Sequence, residues 1–261
     1  MQKIVLILLY SLSLFAQTNQ WYSRVNTTIE AGIYLPNESG NIENIHSTSS
    51  FSGDFGYKHT EASYFSVEFI HDFDYIPNLY LSYFNMQDNH SVTLTKATRV
   101  ADKSFDSDIL SSIDYQRLSA DIYQDLQIKG GIFTLFGRNY YTGDVEFDVG
   151  FTSKLFQWHY KVKDLTDLSR ATAWIRANEF IPLPYIGMKY FLYRFHFYAN
   201  ANDLAFSRAK SSTYKIGIEY RVTTNLYLNS AYIDERFNVL EKQDTIKFKT
   251  AGYKFSFRYK F

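Results

Sequence analysis

The chain has no cysteine among its 261 residues. That excludes disulfides, thiolate metal clusters, thiol nucleophiles and the lipid-bearing cysteine of a lipoprotein. It has no net charge either, with 27 basic residues against 27 acidic ones. No basic stripe points to nucleic acid, and no acidic tail points to a polycationic partner. Beyond the N-terminus no apolar run approaches the length a helix needs to cross about 30 Å of hydrocarbon, so a helical membrane span is not expected. Proline is scarce. Pro36, Pro77, Pro182 and Pro184 are all there are, and each reads as lying at a strand end or in a connection, where a missing N–H breaks no central ladder bond. In lipid that placement matters more, because an unpaired backbone group has no water to turn to. No spacing of His, Asp and Glu forms a metal or cofactor motif, and neither is expected.

Aromatics are abundant instead. Tyr and Phe number 23 each and aromatics make up 19% of the chain, while hydrophobic residues overall stay at 46%. That balance favours strands over helices, and interfacial girdles over a Leu-rich core. The length allows one large β-domain or two smaller ones. The N-terminus reads as a secretory signal: Lys3 supplies the positive charge, Ile4 to Phe15 the apolar run, and Ala16 the residue before the cut. Leu14, two residues before Ala16, is larger than such sites prefer. A short anchor is the other reading, and the run is too short to span. The domain reading is therefore a signal at 1–16 and a β-barrel at 17–261.

Period-two alternation then recurs along the chain. Val25, Thr27, Ile29, Ala31, Ile33 and Leu35 share one face until Pro36 ends the strand, and 37–61 reads as a long polar loop. Phe65, Val67 and Phe69 mark a second strand, and His71 to Asn78 a short turn into a third at 79–85. Residues 86–112 read as another long loop. A fourth strand at 113–125 turns near Gln127 into a fifth at 129–142, and 143–181 reads as the longest excursion, a hairpin standing above the membrane. The sixth strand opens at Leu183-Pro184, Tyr193-Arg194 turns into the seventh, a polar link at 207–212 leads to the eighth, and Thr223 to Asn225 turns into the ninth. The loop 239–245 precedes the last strand.

Taken in order, the connections run long and short alternately. Outer-membrane barrels have short turns at one end, longer loops at the other, an even strand count and both termini at the short-turn end. The expected fold is an all-β, transmembrane, antiparallel up-and-down barrel of about ten strands. Twelve is the alternative, if both halves of 143–181 span. Interfacial Trp21, Tyr22, Tyr140, Tyr141, Tyr253 and Phe261 need no role beyond anchoring.

The chain ends Tyr253-Lys254-Phe255-Ser256-Phe257-Arg258-Tyr259-Lys260-Phe261. Every second residue is aromatic, and nothing follows to cover the row. Together with Asp74-Tyr75-Ile76-Pro77-Asn78-Leu79-Tyr80-Leu81 and Ile181-Pro182-Leu183-Pro184-Tyr185-Ile186-Gly187-Met188, this strand resembles the small outer-membrane β-barrel proteins of epsilon-proteobacteria, a family of no established function. The resemblance covers most of the mature chain. It implies a Gram-negative cell envelope, outer-membrane lipids as surroundings, and the barrel-assembly machinery as a partner. The machinery would read Tyr253, Phe255, Phe257, Tyr259 and Phe261. The family brings no catalytic residues.

Three places are candidates for function. With the apolar row facing lipid, Glu30, Glu68, Arg117, Asp121, Arg138, Lys189, His196, Lys215, Glu219, Arg221, Lys254 and Arg258 line the lumen. They form either a small-solute pore favouring anions or a plug of ion pairs, since charges inside a narrow barrel must be paired. His46, Asp54 and His59, with Asp88 and His90, could form a hydrolytic site at the outer rim, but no tight motif links them to a nucleophile. His71 and His159 read as turn or loop residues. The loops 36–61, 86–112 and 143–181 could meet an extracellular ligand, because exposed loops on a rigid scaffold often carry function. The sequence reading is a non-enzymatic envelope or surface protein, with a narrow channel as runner-up and a rim hydrolase third.

Overall fold

Alternating side chains commit most of the chain to extended structure, and the computed structural model describes residues 25–43, 48–50, 61–71, 78–95, 97–100, 103–107, 110–130, 133–135, 138–140, 145–166, 172–205, 209–241 and 244–261. Fifteen strands form: β1 Val25–Glu43, β2 Thr48–Ser50, β3 Ala62–His71, β4 Asn78–Thr93, β5 Thr98–Val100, β6 Lys103–Phe105, β7 Leu110–Gly130, β8 Phe133–Leu135, β9 Arg138–Tyr140, β10 Val145–Asp164, β11 Ala173–Leu192, β12 Phe195–Ala205, β13 Ala209–Arg221, β14 Leu226–Glu241 and β15 Asp244–Lys260. Ten of them pair in antiparallel sequence as β1, β3, β4, β7, β10, β11, β12, β13, β14 and β15, and β15 pairs back onto β1. The ring is closed and has no free edge, which answers the edge-strand problem outright. The remaining short strands are accessories: β2 extends the tip of β1, while β5–β6 and β8–β9 are separate ribbons.

The closing seam is packed tightly. Gly32 faces Ser256, Gly40 faces Phe248 and Gly252 faces Pro36. A Cβ on Gly32 would run into the Phe255 carbonyl oxygen, and one on Gly252 into that of Leu35. At the lower end of the ring, where the chain turns from β11 into β12, Tyr193 takes the left-handed conformation at φ 55°. Two-residue hairpin turns of the primed types require that geometry.

Several sequence expectations change. The fifth ring strand is β10, not 129–142: Gln127 lies inside β7, and β10 pairs with β7 on one side and β11 on the other along nearly its whole length. The supposed excursion at 143–181 is therefore mostly barrel wall. His159 sits in β10 rather than in a loop. Strands also run on through stretches read as polar loops. β1 continues to Glu43, β4 to Thr93 and β14 to Glu241, and β15 starts at Asp244. The strict alternation of long and short connections is correspondingly weaker: β12 to β13 and β14 to β15 are separated by as few residues as β11 to β12 and β13 to β14, while β7 and β10 are separated by 131–144.

Three prolines are interior to strands. Pro36 lies in β1, and Pro182 and Pro184 lie in β11. Among the described residues, each occupies a stretch with one neighbour only. β3 pairs with β1 no further than Tyr34, and β12 pairs with β11 only from Tyr185 onward. On that open side a missing N–H leaves no partner unsatisfied.

Polarity along the strands explains the extra length. On β15, Tyr253, Phe255, Phe257, Tyr259 and Phe261 point outward and are exposed, while Lys254 and Ser256 point inward and are buried. Higher on the same strand, in unbroken phase, Lys247 and Lys249 point outward, and Ile246 and Phe248 are buried inside. β1 makes the same exchange between Leu35 and Asn37, β14 between Tyr232 and Arg236, and β10 between Leu155 and Gln157. The lower storey is apolar outside and polar inside. The upper storey is the reverse.

Candidate functional site

The upper interior is a hydrophobic core. Met86, Leu94, Val100, Phe105, Trp158, Tyr160, Val162, Ile175, Leu183, Phe237, Val239 and Phe248 are among its buried members. The β5–β6 ribbon contributes Val100 and Phe105, so part of a stretch read as loop packs into the barrel. Stacking orders the core. Trp158 and Tyr160 lie with ring centroids 5.6 Å apart, and Phe237 and Phe248 lie 5.0 Å apart. Tyr34 and Phe84 meet edge to face at 5.8 Å. Such pairs add to the burial of their area. One buried ion pair, Lys154 with Glu235, crosses this region. Lys154 also approaches Thr213 Oγ1 at 3.3 Å and lies 5.3 Å from the Phe237 ring centroid.

Below the core the interior is ionic. Glu30 is the hub: it accepts hydrogen bonds from Ser66 at 3.1 Å and Asn229 at 2.8 Å, and from Lys254 and Ser256. Lys254 has no exposed side-chain surface, and it also sits 4.2 Å from the Tyr64 ring centroid. Arg258 spans the barrel, holding Glu219 with one terminal nitrogen and Glu68 with the other. Lys189 lies between Asp148 at 3.4 Å and Glu68 at 4.0 Å. His196 Nδ1 stands 3.5 Å from Glu219. Tyr198 donates to Asn229 at 2.9 Å. Charges removed from water are tolerable only when so paired and hydrogen-bonded.

Beneath this network lies a cavity of about 280 Å³. Asn26, Phe191, His196, Tyr227 and Lys260 line its outer part, all close to strand ends at the lower rim, while Glu30, Lys215 and Tyr198 line its deeper part. Its outer part reaches the lower rim, and the aromatic core lies above it.

Of the twelve residues expected in the lumen, Glu30, Glu68, Lys189, His196, Lys215, Glu219, Lys254 and Arg258 meet in this one assembly. Arg221 is exposed at the lower rim, where its backbone N–H donates to the Arg194 carbonyl at 2.8 Å. Arg117 and Asp121 stand opposite Trp158 and Lys154 in the β7–β10 register, with their side chains outside the described residues. Arg138 is on the β8–β9 ribbon and not on a ring strand. Asp148, on β10, belongs to the cluster and was missed because β10 was read as lying above the barrel. Tyr80 and Tyr198 also line the cavity, and a sequence reading that counts only charged residues and histidine in the lumen passes over them.

Of the rim candidates, His46, Asp54 and His59 lie outside the described residues, as do residues 1–24 with the expected signal. Asp88 and His90 fall within β4. Among the described residues, no group of three His, Asp or Glu side chains is placed to hold a metal ion.

No family model matches the chain, and no curated protein matches it in sequence. Solved structures with a similar course include the outer-membrane protease OmpT from Escherichia coli, at 9% identity and a TM-score of 0.42, covering 94% of this chain and 99% of that one. The translocator domain of the autotransporter NalP from Neisseria meningitidis shows 10% identity and a TM-score of 0.41 over 97% of this chain and 95% of its own. Ail, the attachment invasion locus protein of Yersinia pestis, shows 9% and 0.34 over 91% and 99%. TM-scores below 0.5 at these identities carry none of those proteins' properties to this chain.

Proposed function

We propose that the chain is an integral outer-membrane β-barrel with a closed interior, serving the envelope or its surface rather than conducting solutes. One observation carries this reading: the exchange of polarity along unbroken strands. An outward aromatic row on the lower storey suits hydrocarbon, which a strand crosses in roughly 9–11 residues, and an outward polar face above it suits water. The apolar core inside the upper storey supports a plug over a pore, because filling it with water would strip those rings of their packing. In this reading the lower rim with its turns faces the periplasm, residues 1–16 are an export signal removed after Ala16, and 17–261 are the barrel. The outward Phe-terminated β15 would engage the assembly machinery. Membership in the epsilon-proteobacterial family belongs to the same proposal. The absence of catalysis does too.

The test is reconstitution. Folded protein is expected to run on gels at a different mobility before and after boiling, to need detergent, and to stay electrically silent in planar bilayers. Steady single-channel steps from the unaltered protein would replace the plug with a channel, the runner-up reading. A protein soluble without detergent would remove the membrane reading altogether.

A further inference from the structure

Lys215 stands apart from the other interior cations. Lys254, Arg258 and Lys189 each hold at least one carboxylate, and those carboxylates are already engaged. Glu30 receives four donors, Glu219 serves Arg258 and His196, and Glu68 serves Arg258 and Lys189. Among the described residues Lys215 has neither an ion pair nor a hydrogen-bond partner. Its ammonium lies 5.3 Å from the Tyr198 ring centroid and 5.9 Å from that of Tyr80. Cation–π contact offsets part of the desolvation of an ammonium, but it satisfies none of its three N–H donors. Lys215 is half-buried and lines the cavity, so its unengaged donors face that space.

We propose that the cavity is a binding site for a small carboxylate, entered from the lower rim. The carboxylate oxygens would take the free donors of Lys215, and the body of the ligand would lie among the rings of Tyr198, Phe191 and Tyr227. The size agrees. At about 280 Å³ the pocket falls at the lower end of ligand sites, which suits a molecule of on the order of ten heavy atoms. The chemistry also disfavours a multiply charged ligand. Glu30, Glu68, Glu219 and Glu146 line the same space and would repel a second negative charge. The proposal rests on the barrel's interior geometry and holds whichever membrane carries the barrel.

The experiment titrates the full chain, folded in detergent, with benzoate, acetate and inorganic phosphate by isothermal calorimetry. Benzoate is expected to bind saturably at one site, tighter than acetate because of the ring walls and tighter than phosphate because of the acidic lining. Lys215→Met is expected to weaken benzoate at least tenfold, while Lys249→Met on the outer wall leaves it unchanged. A second measurement needs no variant: amine acylation of the wild-type protein, read by mass spectrometry, with benzoate slowing modification of Lys215 and not of Lys249. Absence of saturable binding, meaning a pocket that holds water only, would overturn the proposal. So would phosphate binding tighter than benzoate, undiminished affinity in Lys215→Met, or acylation of Lys215 indifferent to benzoate.

Discussion

Replacing Glu30 with methionine, close in volume but uncharged, tests whether the ionic layer is as interdependent as its contacts imply. The change leaves Lys254 fully buried without its carboxylate, and it also removes the acceptor for Ser66, Asn229 and Ser256. Removing one partner of a buried pair costs about 3–5 kcal/mol, because the surviving charge is stranded away from water. The three orphaned donors push toward the upper part of that range, although such effects do not add within one network. At 1.4 kcal/mol per decade, the folded-to-unfolded ratio is expected to fall by roughly 140- to 4,000-fold. The assay is reversible urea unfolding in lipid vesicles, following the fraction that keeps unboiled gel mobility. The pair itself is a different matter, since apolar replacement of both partners is often neutral or better. Glu30→Met with Lys254→Met is therefore expected to recover more than half of the loss. A single substitution costing under about 1 kcal/mol, or a double no better than the single, would refute the account of Glu30 as the hub that neutralises Lys254.

Other outcomes follow from the same geometry. Phe255→Lys places a charge on the exposed aromatic row and is expected to cost about 2–4 kcal/mol in vesicles. Lys247→Phe, above the polarity exchange, should change stability by less than about 1 kcal/mol in the same assay. Equal effects would mean the belt has been placed wrongly. Tyr193→Gly relieves a left-handed residue that is almost fully exposed and is expected to stabilise by about 1 kcal/mol in urea unfolding. At the upper rim the hydrogen bond from Lys247 holds the Glu43 carboxyl below its ordinary value, with Asn41 assisting. A carboxyl depressed on folding adds stability above its unfolded value of 4.5 that is lost as pH falls below it. The pair is mostly exposed, so the loss is expected to stay under about 0.5 kcal/mol. NMR titration of Glu43 should show the depression vanish in Lys247→Met.

Much of the lower storey was legible from residues alone. Period two placed Ile29, Ala31 and Ile33 on one face and Glu30 on the other, and the structure shows those faces outside and inside. The upper storey was hidden because a hydropathy reading treats polar stretches as loops. Asn37, Ser39 and Asn41 look like loop residues until they are seen as the wet outer face of a strand whose inner face carries Ile42. The assignment of 129–142 failed for a related reason. Its alternation is as good as that of 145–151, and only pairing partners across the ring distinguish a wall from a connection. The prolines misled because their effect depends on whether a strand has one neighbour or two, which is a tertiary property. The ionic cluster was readable residue by residue but not as pairs, since Arg258, Glu219 and Glu68 come from three distant strands.

In the membrane reading proposed above, the exchange of polarity means that the two storeys are held by different solvents. Water squeezes the upper storey together from outside, as it would any soluble β-barrel, so that part has a heat capacity of unfolding and yields to urea. In the same reading hydrocarbon exerts no such squeeze on the lower storey. What holds that part is the cost of presenting strand amides and the buried Lys254, Glu30 and Arg258 to lipid. In that reading a single chain draws on two sources of stability along the same ten strands, apolar burial above and the exclusion of unpaired amides and charges from the bilayer below.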